Sequence, residues 1–127
     1  MSGIIHKVAC LAILLAPLAP GAASAQEFPT KPVRIVVTVP PGGAADVAAR
    51  LFGQKMTGGL GQAVIIENSA GRFGTIAAAR VARADPDGHT LIFTTPSSMI
   101  LAHFTIKDVP YKKTDHIPIS AAVETVT

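Results

Sequence analysis

Val33-Arg-Ile-Val-Val-Thr-Val39 runs directly into Pro40-Pro-Gly-Gly43, and Ala44 to Met56 follows with apolar side chains three and four residues apart. The first stretch is β-branched and almost continuously apolar, the pattern of a strand buried on both faces. The proline–glycine run stops it abruptly. In the stretch that follows, Val47, Ala48, Leu51, Phe52 and Met56 fall on one side of a helix, with Arg50, Gln54 and Lys55 off the centre of that stripe. Gly58, Gly59 and Gly61 supply its stop.

The same unit then repeats. Ala63 to Glu67 reads as a second strand, Asn68 to Gly74 as a loop, and Thr75 to Ala84 as an alanine-rich helix with Arg80 and Arg83 outside. Asp85-Pro-Asp-Gly88 has turn composition. Thr90 to Thr94 is a third strand, Thr95 to Ser98 a third polar loop, and Met99 to Phe104 a short helix. Past Lys107 the pattern weakens, ending in an apolar stretch from Ile117 to Val123. Strands alternating with helices predict an α/β fold, a parallel sheet built of right-handed βαβ units. Ligands of such sheets sit outside the carboxyl ends of the strands. Three loops are expected there: Pro40–Gly43, Asn68–Gly74 and Thr94–Ser98.

Upstream of this core, Lys7 precedes an apolar run from Val8 to Leu18, and Ala23-Ser-Ala25 closes it with small residues at alternate positions. That order is the mark of a secretory leader with a cut after Ala25. The run is too short to cross a bilayer, which takes roughly 20 apolar residues. Cys10 lies near the start of the run, whereas a lipidated cysteine would stand at its end. The expected organisation is therefore a leader over 1–25 and a lobe over 26–127, the latter without cysteine and held by an ordinary core.

The full chain carries 11 Lys and Arg against 8 Asp and Glu, a mild excess of scattered positive charge. A nucleic-acid binder would show a basic stripe with interleaved aromatics, so no nucleic-acid partner is expected. A weakly cationic surface slightly favours small anions.

Each loop offers a ligand role and a purely structural one. Gly42 and Gly43 open the backbone at a helix start, where unpaired N–H groups favour a carboxylate or phosphate; they equally suit a tight turn. Asp46, in the first helical turn, caps its own helix amides, or orients water or a ligand amine. Asn68, Ser69, Gly71 and Gly74 supply donors and open backbone in the second loop, where Arg72 either pairs with a ligand carboxylate or stays solvated. Thr94, Thr95, Ser97 and Ser98 present hydroxyls that bind a ligand or cap the next helix. Catalytic constellations are missing. Neither a Gly-Lys-Ser/Thr phosphate loop nor Gly-x-Gly-x-x-Gly follows the first strand, and Gly-x-Ser-x-Gly is absent. His89, His103 and His116 show no metal-ligand spacing, so no metal, cofactor or enzymatic activity is expected.

Several strings taken together resemble one family: Phe28-Pro-x-Lys-Pro-Val-Arg-Ile-Val-Val, Pro40-Pro-Gly-Gly-x-x-Asp46 with Ala49-Arg50-Leu51, Leu60-Gly-Gln-x-Val-Ile-Ile-Glu-Asn68, Gly71-x-x-Gly74, Asp85-Pro-Asp-Gly-His-Thr-Leu91 and Val109-Pro-Tyr111 ahead of Asp115. Their order and spacing resemble the start of the periplasmic receptors of tripartite tricarboxylate transporters, the Bug or TctC-like family, from Glu27 to about Val123. The resemblance implies a two-lobed binding protein, a monomer at full length, that closes on a small carboxylate and hands it to a membrane permease. It also implies ligand contacts at Pro41, Gly42, Gly43, Asp46, Asn68, Gly71 and Gly74, with Thr94, Thr95 and Ser97 in looser agreement. Gly71-Arg72-Phe73-Gly74 departs from the small residues usual in that loop, and His116 stands where an aromatic or apolar residue is usual. The chain stops near the point where the family crosses to its second lobe, so an incomplete N-terminal lobe is expected. The competing expectations are a remnant without independent ligand binding, and half of a nucleotide- or cofactor-binding enzyme.

Overall fold

The computed structural model describes residues 27–122; the expected leader, 1–25, lies outside them. Strand β1 (Val33–Val37) sits between β2 (Val64–Asn68) and β3 (Thr90–Phe93), and both neighbours run parallel to it. Val33 pairs with Val64 and Val37 with Asn68 on one side, while Arg34 pairs with Thr90 and Val37 with Phe93 on the other. The central place explains the composition of β1, since Val33, Ile35, Val36 and Val37 are all buried. Arg34 reaches solvent and meets Glu67 at 2.9 Å. The α/β class and the parallel sheet of βαβ units are as expected.

Alternation along the strands divides the core in two. Ile35 and Val37 pack with Ala49, Val64, Ile66, Leu91 and Phe93 beneath helix α1 (Ala44–Leu60). Ile92 belongs to the other face, with Ala78 and Ala79 of helix α2 (Thr75–Ala82) and with Tyr111. One helix thus covers each face, as reversal of the strand order about β1 requires.

The buried side of α1 differs from the expected stripe. Asp46, Ala49 and Gly53 face inward and Met56 is half-buried, whereas Val47 is 50% and Leu51 59% exposed. Small residues win because the helix lies close to the sheet: a methyl group on Gly53 would stand 3.0 Å from Ile66 Cδ1. A bulky residue on that side would hold the helix off. The helix also runs through Gly58 and Gly59 and stops only at Gly61, whose φ of 67° and N–H bond to the Thr57 carbonyl form a left-handed cap.

After β3 the chain makes a wide π-type turn (Ser97–Leu101) into the short helix α3 (Ala102–Thr105). Tyr111 then anchors the return. Its ring is buried, its hydroxyl donates to the Ser98 carbonyl, and the rings of His103 and His116 stand nearly perpendicular to it with centroids 5.2 and 5.4 Å away. His116 is therefore a packing residue that also bonds the Ala78 carbonyl at 3.0 Å. The expected apolar stretch from Ile117 forms no regular element over residues 117–122, and Ile117 and Ile119 are exposed.

Candidate functional site

The carboxyl ends of β1, β2 and β3 open into the three loops expected to bind. Backbone bonds hold their bases together: Ser69 N–H donates to the Val37 carbonyl at 2.8 Å and Thr38 N–H to the Phe93 carbonyl at 3.1 Å.

The first two loops are joined by side chains. Asp46 is only 2% exposed. Its Oδ2 accepts the Gly42 N–H at 2.9 Å and Arg50 Nε–H at 3.0 Å, and its Oδ1 accepts Asn68 Nδ2–H at 2.8 Å. Asn68 Nδ2 also donates to the Val39 carbonyl at 3.1 Å, and Arg50 Nη2 donates to Asn68 Oδ1 at 3.1 Å. The carboxylate reaches back into the loop instead of capping an amide of its own helix. Bonds from Arg50, Gly42 and Asn68, in that order of weight, hold its carboxyl well below the usual carboxylate range against the opposing effect of burial. Pro41, Gly42 and Gly43 stay exposed above this network. Gly43 is the N-cap of α1 in an extended conformation, with no side chain capping the helix.

The second and third loops meet at a glycine. From Gly71 to Gly74 every φ is positive, 126°, 45°, 57° and 84° in turn. Gly74 needs both its conformation and its lack of a side chain, because a Cβ there would lie 2.9 Å from the Cβ atoms of Thr38 and Ser98. Arg72 and Phe73 adopt left-handed backbone that L-residues seldom take, and Phe73 projects with 71% of its surface exposed. In the third loop the Thr94 and Ser98 hydroxyls bond each other, and Ser98 Oγ donates to the Thr95 carbonyl at 3.1 Å.

Asp46 and Asn68 are therefore brought into direct contact, and Gly74 is brought against the third loop. Thr94 and Thr95 instead line a cavity of about 550 Å³ together with Ala44, Ala45 and Ala48 of α1 and Ser120 to Ala122. Ser97 begins the π-type turn and is half-buried. Sequence reasoning placed Arg50 off the apolar stripe and among the family strings without giving it a role in the site, and it did not single out Thr38. The i, i+4 spacing of Asp46 and Arg50 was the available signal for the first; nothing local announces the second. At the opposite end of the sheet, a cleft of about 490 Å³ is lined by Lys31, Arg34, Arg83, Asp85, Asp87 and His89 and holds none of the expected site residues. Lys31 and Asp87 pair there at 2.8 Å.

Residues 48–127 match the family described as tripartite tricarboxylate transporter family receptor. A UPF0065 protein of Bordetella bronchiseptica is 45% identical over 101 residues, which is 80% of this chain and 30% of that protein. Among solved structures, MatC of Rhodopseudomonas palustris with bound malate is 42% identical and superposes with a TM-score of 0.64 over 68% of this chain and 29% of MatC. A second R. palustris protein, solved with adipate, is 33% identical with a TM-score of 0.66 over the same shares. The chain thus spans less than a third of the length of these relatives.

Proposed function

The chain belongs to the tripartite tricarboxylate transporter receptor family, and on that premise we propose that it forms one wall of an extracytoplasmic receptor for a small carboxylate. The receptor is exported by a leader cut after Ala25 and delivers its ligand to the permease subunits of such a transporter.

The observation that carries this role is the joining of the three loops at the carboxyl ends of the strands, through Asp46 and Asn68 and through Gly74 and Ser98. Open backbone at Pro41, Gly42 and Gly43, together with the uncapped start of α1, offers N–H donors and a positive dipole end to an anionic group. Asn68, Gly71 and Gly74 form the adjoining edge, and the hydroxyls of Thr94, Thr95 and Ser97 border it. Asp46 serves from beneath, since its oxygens are already taken up by three donors. The bound states of the two R. palustris relatives, with malate and adipate, make linear dicarboxylates the first class to try.

The test is titration calorimetry of the exported protein, purified at its native length, against malate, adipate, an amino acid and a neutral polyol. Saturable binding of at least one carboxylate and no uptake of the polyol is the expected result. Indifference to every acid would overturn the receptor role.

A further inference from the structure

Arg50 lies one helical turn beyond Asp46, with about half its side chain exposed, at a place where a carboxylate receptor faces an electrostatic conflict. Asp46 puts a buried negative charge directly under the Gly42 amide, beside the helix end that should attract an anion. A fixed charge of the same sign a few ångströms away disfavours such a ligand, the more so because a buried charge is poorly screened.

We propose that Arg50 is the positioning residue of the binding wall, cancelling the Asp46 charge and locking Asn68 to it so that the first two loops keep one geometry. This rests on the receptor role stated above. The contacts form a closed ring of three side chains: Arg50 Nε to Asp46 Oδ2 at 3.0 Å, Asp46 Oδ1 to Asn68 Nδ2 at 2.8 Å, and Asn68 Oδ1 to Arg50 Nη2 at 3.1 Å. One planar guanidinium serves two acceptors at once, which a lysine ammonium on a flexible stem does less well. Asn68 is the last residue of β2 and its Nδ2 also holds the Val39 carbonyl, so the ring ties the end of β2 to the backbone leaving β1. Removing Arg50 leaves the carboxylate buried with two neutral donors and uncompensated charge, and frees one side of Asn68.

Two measurements on Arg50→Gln, Arg50→Lys and the double variant Asp46→Asn/Arg50→Gln decide the matter. The first needs no ligand: amide hydrogen exchange at Gly42 in the native-length protein should accelerate by about tenfold or more in Arg50→Gln, with Arg50→Lys in between. Unchanged exchange overturns the positioning role whatever the ligand proves to be. The second is malate or adipate affinity, whichever the wild-type protein binds. Arg50→Gln should weaken it by about tenfold, and the double variant should return to within about threefold of wild type, since both charges are then gone. A double variant as weak as Arg50→Gln would overturn the charge-cancelling role. A wild-type protein that takes up no carboxylate, while Gly42 exchange still responds to Arg50→Gln, would overturn the receptor role and leave the geometric one standing.

Discussion

Gly74 and Ser98 are pressed together so closely that a methyl group on the glycine would lie 2.9 Å from the serine Cβ. This contact closes the second loop onto the third, with Thr38, the residue after β1, as the third party. Gly74→Ala should therefore destabilise the protein by about 3 kcal/mol, combining left-handed backbone strain with a clash against two Cβ atoms that side-chain rotation cannot move. Urea denaturation measures it. A loss under about 1 kcal/mol would mean the two loops separate easily.

Gly43 tests the ligand wall itself. Its backbone is extended, and a Cβ there would come no nearer than 3.8 Å to its closest neighbour, the Pro40 carbonyl oxygen. Gly43→Val should leave the circular dichroism spectrum and thermal midpoint almost unchanged while weakening carboxylate binding by about tenfold or more. Calorimetry that shows equal affinity would move the ligand away from this loop.

Phe73 occupies left-handed backbone at φ 57° with most of its ring in solvent. Asparagine visits that region readily and little burial is lost on replacing the ring, so Phe73→Asn should stabilise the protein by about 1 kcal/mol. A rise in thermal midpoint is the expected reading. A fall would show that the ring makes contacts that outweigh the strain. If Phe73 also shapes the pocket mouth, the same variant will change the ranking of malate against adipate.

Acid should weaken the fold through two carboxyls. Asp46 is held low by Arg50, Gly42 and Asn68, and Asp87 is lowered to about 2 by its bond to Lys31 and by the His89 amide. A carboxyl whose folded pKa is depressed binds fewer protons folded than unfolded, so its contribution is full above about pH 4 and is lost as pH falls through the folded value. The thermal midpoint should accordingly drop between about pH 4 and pH 2. Asp87→Asn should begin lower at neutral pH, having lost Lys31, and fall less steeply across that window. Parallel curves for the two proteins would rule out Asp87 as a contributor.

Much of the frame was legible because it rests on local composition. The β-branched run Val33–Val37 and its proline–glycine stop locate β1, and the same logic places β2 and β3 within a residue or two of their observed bounds. The α1 stripe was misjudged because periodicity alone weighs Val47 and Leu51 above Ala49 and Gly53. Hydrophobicity measures what a side chain gains on burial, but close helix–sheet approach selects for smallness. Asp46 and Asn68 were singled out for the ligand and found bonded to each other. The pairing joins residues far apart in sequence, and no spacing rule reaches across it.

The sequence by itself determined a parallel sheet of βαβ units, the loops that gather at one end of it, and through its string of motifs the family. Strand propensity, turn chemistry and chain connectivity are properties of neighbouring residues, so they can be read without a structure. Only the tertiary structure decided which face of α1 is buried, that Asp46 turns inward to Gly42, Arg50 and Asn68, and that Gly74 must be bare against Thr38 and Ser98. Those outcomes depend on distances between atoms from different elements. Packing at near-crystalline density fixes such distances only once the whole core has closed.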